Sequence, residues 1–222
     1  MPRLTVKLLW ATLASLLLSA LPDTLLLHLV LWPIPAGHQD TMGLLGEFMP
    51  WQLLTHLLII PGPSNAILFN VLFIGLTVYY FGSMLESAWG ARRYGLFLLA
   101  CAVGSTLLQF GASTLAFAAG VGPYAPSSGA DGVMYGILFA CAYLWPRQEV
   151  MLMIPPIPVR MKTLVIVLCA IKLWFGFWGA GLFSQFGFLG GLAAAWLHIR
   201  YWRGLPPFSK KKPPPPKFRI VH

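Results

Sequence analysis

Six apolar segments, each about as long as a membrane-spanning helix, follow one another along the chain. A helix needs about 20 predominantly apolar residues to cross a bilayer. The segments cover residues 8–32, 66–85, 94–118, 130–146, 162–179 and 186–202, and are called spans 1 to 6 below. Pro22-Asp23 interrupts span 1. Only 9% of the residues are charged, whereas soluble domains carry about 25%. The sequence therefore predicts an all-α polytopic membrane protein and excludes a single soluble core.

The basic residues fall at alternate ends of the predicted spans. Arg3 and Lys7 precede span 1, and Arg92 and Arg93 lie between spans 2 and 3. Arg147, Arg160 and Lys162 lie where span 4 connects to span 5. The end of span 6 and the residues after it carry Arg200, Arg203, Lys210, Lys211, Lys212, Lys217 and Arg219. The other three connections contain no Lys or Arg. Cytoplasmic loops are enriched in these residues, so the pattern predicts six spans with both termini in the cytoplasm. The net charge of +9 is then a topology signal, and we expect no nucleic-acid partner.

Two short segments lie outside the predicted spans. Residues 51–60 (WQLLTHLLII) are too few to cross the bilayer and are followed by Pro-Gly-Pro, which predicts an interfacial helix. Residues 210–217 (KKKPPPPK) form a basic polyproline II segment that could contact anionic lipid or dock a partner. The predicted organisation is a cytoplasmic N-terminus at 1–7, a membrane domain at 8–203 and a basic, Pro-rich cytoplasmic tail at 204–222.

The three cysteines carry no sign of a metal or redox site. Cys101, Cys141 and Cys169 all lie inside apolar runs and lack metal-ligand spacing. Free cysteines in such surroundings are usually small buried hydrophobic residues. We therefore expect no metal and no cofactor.

The end of span 2 carries a specific short motif. Segment 82–94 (GSMLESAWGARRY) resembles the pattern G-x-x-x-E-x-x-x-G-x-R-[RK] of the rhomboid family of intramembrane serine proteases. The residues that fill this pattern are Gly82, Glu86, Gly90, Arg92 and Arg93.

Three further stretches are similar to rhomboid motifs and occur in the same order. Residues 51–56 (WQLLTH) resemble the W-R-L-L-T stretch of the first loop, residues 129–147 resemble G-x-S-G-x-x-[YF]-G in span 4, and residues 187–194 (GFLGGLAA) resemble A-H-x-x-G in span 6. Together the four stretches place the resemblance over residues 5–203. It implies a six-span rhomboid-like helical bundle.

Small residues recur three and four positions apart in spans 4 and 6. They are Gly129, Gly132, Gly136 and Ala140 in span 4, and Gly187, Gly190, Gly191, Ala194 and Ala195 in span 6. Such stripes let two helix backbones approach closely. We therefore predict that spans 4 and 6 pack tightly against each other, as the resemblance requires for their side chains to meet.

The catalytic positions that the resemblance implies are degenerate. The positions of the nucleophilic Ser and the base His fall on Asp131 and Phe188, and those of the oxyanion-binding His and Asn fall on Asn70 and Ile74. Phe188 cannot accept a proton, and Ile74 offers no hydrogen-bond donor. The resemblance therefore implies a pseudoprotease, and we expect no hydrolysis.

An active alternative uses Ser128 as the nucleophile. Ser128 follows Ser127 in a P-S-S-G string just ahead of span 4. Its base would be His198, His56 or Lys172, the last only if burial lowered its pKa. The competing interpretation is structural, with Ser128 as the N-cap of span 4.

Asp131 and Lys172 are the unusual residues of the predicted membrane domain. Asp131 is the only acid or base of span 4, and Lys172 is the only one of span 5 beyond its first residue, Lys162. A lone charge near the bilayer centre costs at least about 2.5 kcal/mol. Asp131 could interact with the positive end of its own helix, and Lys172 could extend towards water. The sharper hypothesis is that Asp131 and Lys172 approach one another inside the bundle.

The preferred function is binding of transmembrane segments of client membrane proteins without hydrolysing them. The resemblance implies lateral entry of the client between spans 2 and 5, and roles in membrane-protein quality control, trafficking or degradation. The residues expected to contact the client are Asn70, Ser128, Asp131 and Trp51. The partners would be membrane lipids and these client segments.

Two other functions stay open at this point. One is a divergent rhomboid intramembrane serine peptidase that uses Ser128. The other is a small transporter or ion-binding bundle around Asp131 and Lys172, against which no inverted repeat is visible between the two halves of the chain. The short chain and the absence of a transit peptide predict a bacterial inner (plasma) membrane location.

Overall fold

The helices of the structure follow the predicted spans closely. The computed structural model describes residues 3–19, 23–26, 28–31, 49–60, 64–118, 129–151, 158–175 and 185–202. The helices are α1 Arg3–Ser19, α2 Asp23–Leu26, α3 Gln52–Thr55, α4 Ser64–Thr77, α5 Ser83–Trp89, α6 Ala91–Ala118, α7 Asp131–Leu144, α8 Met161–Phe175 and α9 Phe186–Trp202. Two strands, β1 Glu149–Met151 and β2 Pro158–Arg160, lie between α7 and α8.

Within the part of the chain that the structure describes, two helical stretches have the length and apolarity that a bilayer crossing needs. They are Asn70–Trp89, which runs through α4 and α5, and Ala91–Ala116 in α6. Between α4 and α5 the helix widens into a π-helical turn, Val78–Gly82, without breaking. The prediction of a mostly helical membrane protein is confirmed at this level.

Short helices occur in two places. α1 covers Arg3–Ser19 and α2 covers Asp23–Leu26, and the predicted interruption at Pro22 lies outside the described residues. The segment predicted as an interfacial helix contains α3 and a following 3-10 turn, His56–Leu58. A short apolar run followed by proline cannot sustain a long helix.

A small antiparallel sheet corrects the strictly all-α prediction. β1 pairs with β2 in the register Glu149 to Arg160, Val150 to Val159 and Met151 to Pro158. The sequence around the hairpin is proline-rich and too short for strong alternation, so periodicity gave no strand signal. The hairpin joins α7 to α8, and the Met161 N–H donates to the carbonyl of Gln148 at 2.8 Å.

The centre of the fold is a close contact of α6, α7 and α9, the three helices that pack most extensively on one another. A Cβ on Gly191 would overlap the backbone of Gly132, and one on Gly190 would overlap the backbone of Gly104. The predicted packing of spans 4 and 6 is therefore confirmed. α6 is a third member of this contact, which the small-residue pattern of spans 4 and 6 did not reveal.

The start of α1 and the end of α9 lie at the same end of the bundle. Leu4 donates its backbone N–H to Glu86 of α5 at 2.9 Å. The ring of His198, near the end of α9, contacts Phe97 in the second turn of α6, with ring centroids 5.6 Å apart. Because α7 runs antiparallel to α6, the hairpin lies at this end too. The described Lys and Arg residues other than Lys172 thus gather at one end, called the basic end below.

Glu86 and Gly90 fix the chain at the basic end. The Glu86 carboxylate accepts hydrogen bonds from the N–H groups of Leu4 and Thr5 and from the Thr5 hydroxyl, so it caps the first turn of α1. Gly90 ends α5 with a φ of 80°, a conformation that favours glycine because it has no Cβ. This turn allows α6 to begin at Ala91, immediately after α5.

Candidate functional site

Asp131 and Lys172 form an ion pair between α7 and α8. The Lys172 ammonium donates to the Asp131 carboxylate across 41 residues of sequence. The two charges therefore meet, as the sharper hypothesis predicted, although the site is only partly buried. The chain neutralises both charges by joining them, rather than by extending Lys172 alone towards water.

Each of the two charges lies at the helix end whose dipole stabilises it. Asp131 is the first residue of α7, where the helix dipole is positive. Lys172 lies in the last described turn of α8, where the dipole is negative. Each helix end stabilises the charge that it carries, and the pair adds to both effects.

The ion pair is only partly covered by protein. The side chains of Lys172 and Asp131 are 29% and 32% exposed. Neither residue has another hydrogen-bonding or charged partner within the described ranges of the chain. Beside them, the buried ring of Tyr135 packs edge-on against Phe188, with centroids 4.8 Å apart. Aromatic rings thus lie beside the pair, and among the described residues part of its hydrogen-bonding capacity is unused.

The α3 segment packs against the start of α7. The N–H of Gly129 donates to the carbonyl of His56 at 2.9 Å, and Gly129 adopts a φ of 110° to make this turn into α7. The Thr106 hydroxyl donates to the carbonyl of Leu53. These contacts tie α3 to the same end of the bundle as the ion pair.

His56 is held in the neutral form by its surroundings. Its side chain is buried, and its Nδ1 lies 2.8 Å from the carbonyl oxygen of Gln52. Burial lowers the pKa of His56 below its ordinary value, since the charged imidazolium would lose its hydration. His56 therefore acts as a fixed internal hydrogen-bond donor of the α3 segment. The sequence had offered it as a possible base for Ser128.

The start of α9 is joined to α6 by a buried polar contact. Gln109 of α6 accepts a hydrogen bond from the backbone N–H of Gly187 at 2.7 Å. This satisfies one of the free N–H groups of the first turn of α9. It also holds α9 close enough for Phe188 to reach Tyr135 beside the ion pair.

The other predicted site residues are distributed around this pair. Asn70 and Ile74 lie on α4, half-buried, and Ile74 packs against the main hydrophobic core. Trp51 is 54% exposed, and its indole N–H donates to the carbonyl of His28 at 3.2 Å. Ser128, like Ser127, lies outside the described residues. The structure thus brings together Asp131 and Lys172.

Two helices pack against α7 near the ion pair. α4 and α8 each contact α7, but they have at most marginal contact with one another in the described part of the chain. Both carry exposed apolar side chains, among them Leu72 on α4 and Ile166 and Trp174 on α8.

The cysteines and acidic residues form no metal centre in the ranges that the structure describes. All three cysteines are free, with Cys101 and Cys141 buried and Cys169 half-buried. The Cys141 thiol lies 3.7 Å from the carbonyl of Phe81 in the π-helical turn. They act as small core residues in the helix contacts.

The motif residues behind the rhomboid resemblance have structural roles in this fold. Gly82 makes room for the hydroxyl of Tyr94, and Gly132 makes room for α9. Glu86 caps α1, and Gly90 supplies a positive φ. Any tightly packed helical bundle can require such residues, so they did not identify the family.

Comparison with known proteins places the chain in a family other than the rhomboid family. Residues 9–213 match the model of the family described as "Eukaryotic integral membrane protein (DUF1751)" and no rhomboid model, so the assignment to the rhomboid family is wrong. The predicted bacterial location has no support, since the matching family is described as eukaryotic. No curated protein matches the chain. With helices of spanning length and a family match over most of its length, the chain belongs to this eukaryotic family of integral membrane proteins.

Proposed function

We propose that this protein binds transmembrane segments of other membrane proteins and does not hydrolyse them. The observation that carries the proposal is the Asp131–Lys172 ion pair, which joins two apolar helices and is about one-third exposed. Ionisable residues at membrane depth are costly, and those that persist usually serve a function. A polar site that opens sideways into lipid suits a ligand that is itself in the bilayer.

We propose that a client helix reaches the pair laterally, between α4 and α8, which have at most marginal contact with one another in the described part of the chain. A client helix placed there would cover exposed apolar side chains such as Leu72. It would also bring any polar group of its own next to Asp131, with Asn70 on the neighbouring α4. Helix association in membranes relies on such packing and on interhelical hydrogen bonds, because lipid is as apolar as leucine.

Two features favour binding over hydrolysis. The Lys172 ammonium is engaged by Asp131, so it is not a free base. The α9 residue that faces this region is Phe188, which cannot accept a proton, and it is buried against Tyr135. A serine at position 128 would therefore need a base from elsewhere in the chain.

The proposed topology has six crossings with both termini in the cytoplasm. It is supported by the basic end, where the start of α1, the hairpin and the end of α9 meet. Cationic residues are retained on the cytoplasmic side of membranes. The domain would then cover residues 8–203 with a cytoplasmic tail at 204–222, of which the structure describes no residue.

The test uses the purified protein in lipid nanodiscs and fluorescent peptides. One peptide is an all-Leu helix of about 20 residues, and the other carries a central polar pair, Asn-Gln. Energy transfer to labelled protein measures binding, and the peptide mass after incubation reports hydrolysis. We expect tighter binding of the polar peptide, weaker binding to Lys172→Met, and an unchanged peptide mass.

Lys162→Met is the matched control, since Lys162 is an exposed lysine of the same helix at the basic end. It should bind both peptides like the wild type. Equal binding of the two peptides by the wild type, or appearance of cleaved peptide, would contradict the proposal. Ion flux into proteoliposomes that is lost in Lys172→Met would point instead to a transporter.

A further inference from the structure

We infer that the Asp131–Lys172 pair selects transmembrane segments that carry a carboxamide side chain, Asn or Gln, at the depth of the pair. The inference rests on the proposed function and names the class of client that this site would recognise. Its basis is the combination of net neutrality, unused donor and acceptor positions, and partial exposure at a single place in the bundle.

The net charge of the site favours a neutral ligand. Asp131 and Lys172 carry opposite charges in direct contact, so the field of one largely cancels that of the other. A client Lys or Asp would bring an uncompensated charge to this place, which is costly inside a membrane. A neutral but strongly dipolar group avoids that cost.

The remaining hydrogen-bonding positions of the pair define the shape of that group. An ammonium has three donors, and a carboxylate has acceptors on both oxygens. In the described part of the chain, the Lys172–Asp131 bond is the only hydrogen bond that either side chain makes. Donors and acceptors are therefore left side by side.

A carboxamide matches this arrangement at both points. Its carbonyl oxygen can accept from Lys172 while its NH₂ group donates to Asp131. A serine hydroxyl has one oxygen for both roles and cannot place them at two neighbouring positions. The backbone of a client helix is no competitor, because its N–H and C=O groups are already bonded within the helix.

The position of the pair makes such contact possible. Both side chains are about one-third exposed. In the described part of the chain, α4 and α8 each contact α7 but have at most marginal contact with one another. A client helix that packs beside α7 could therefore bring its amide to the pair.

The experiment compares five peptides on wild-type protein in nanodiscs. They are all-Leu helices whose central residue is Leu, Asn, Ser, Lys or Asp. We expect the Asn peptide to bind about tenfold more tightly than the Leu peptide, the effect of two interhelical hydrogen bonds. The Ser, Lys and Asp peptides should each bind more weakly than the Asn peptide.

Two variants should change the preference rather than merely abolish binding. Lys172→Met leaves a lone carboxylate, so the Lys peptide should become the tightest binder. Asp131→Asn leaves a lone ammonium, so the Asp peptide should become the tightest binder. Lys162→Met should keep the wild-type order of the five peptides.

The outcomes separate this inference from the proposed function. If no polar peptide binds wild-type protein more tightly than the Leu peptide, both ideas fail. If polar peptides bind but Ser equals Asn, or a charged peptide binds tightest, only the carboxamide inference is overturned. The comparison of the five peptides uses wild-type protein alone, so misfolding of a variant cannot explain a contrary result.

Discussion

Glu86 accepts hydrogen bonds from both the backbone N–H and the hydroxyl of Thr5, at 2.6 and 2.7 Å, across 81 residues of sequence. Both residues are buried at the basic end of the bundle. One carboxylate thereby satisfies the first turn of α1 and holds α1 against α5.

Glu86→Gln should destabilise the protein by about 1–3 kcal/mol, since one charged acceptor is replaced by an amide N–H that faces donors. The free energy of unfolding in mild detergent measures this. Glu149→Gln, an exposed carboxylate on β1, is the control and should change little. Equal stability of the two variants would show that the cap is not important.

Gly191→Ala should destabilise the contact of α7 with α9. The new Cβ would overlap the backbone of Gly132, which cannot move aside as a flexible side chain could. Overpacking of this kind costs about 1–3 kcal/mol. Gly111→Ala in α6 is the matched control, because a Cβ there meets no atom within 4 Å. Thermal unfolding in detergent compares them, and a similar midpoint for both variants would rule out the close contact.

The ion pair should show energetic coupling in a double-mutant cycle. Asp131→Asn and Lys172→Met should each destabilise the protein, because each leaves one charge unpaired at membrane depth. The double variant should recover about 1–2 kcal/mol of the summed loss, a value reduced by the partial exposure of the pair. Additive losses in the cycle would show that the two charges do not interact.

Stability should fall on acidification because of His56. The folded protein keeps the pKa of His56 below the ordinary value of 6.5, so the unfolded chain binds the proton more readily. The neutral ring therefore contributes its full stability above the ordinary pKa of 6.5, and this contribution is lost as the pH falls below 6.5. The melting temperature should be lower at about pH 5 than at neutral pH.

His56→Gln keeps a donor for the Gln52 carbonyl but cannot titrate, so it should reduce this pH dependence. His28→Gln is the control, because the His28 side chain is exposed and its structural contacts use the backbone carbonyl. A pH dependence that is the same in His56→Gln and the wild type would contradict the role of burial.

The positions of the helices could be predicted because they depend on local composition. α9 occupies residues 186–202, as predicted, and α6 differs from span 3 only at its start. Long apolar runs must be helical in lipid, where backbone groups have no water to bond. The alternation of basic residues likewise follows from a rule that acts on short stretches of chain.

The candidate site was predictable only as two separate charges. Asp131 and Lys172 stood out because each is a lone ionisable residue in an apolar run, and that contrast is visible in the sequence. The motif comparison was less informative. Glycine and small-residue spacing reports close packing in any helical bundle, so it led to the wrong family.

The sequence by itself determined the membrane setting, the helical segments and the residues too costly to leave unpaired. Only the tertiary structure decided that Lys172 reaches Asp131, that Glu86 caps α1, and that α6 joins α7 and α9 at the centre. The ion pair and the Glu86 cap join residues 41 to 82 positions apart, and the partners in all these contacts are selected by helix packing in three dimensions. Periodicity and composition act over a few turns, so they cannot specify which distant side chains will meet.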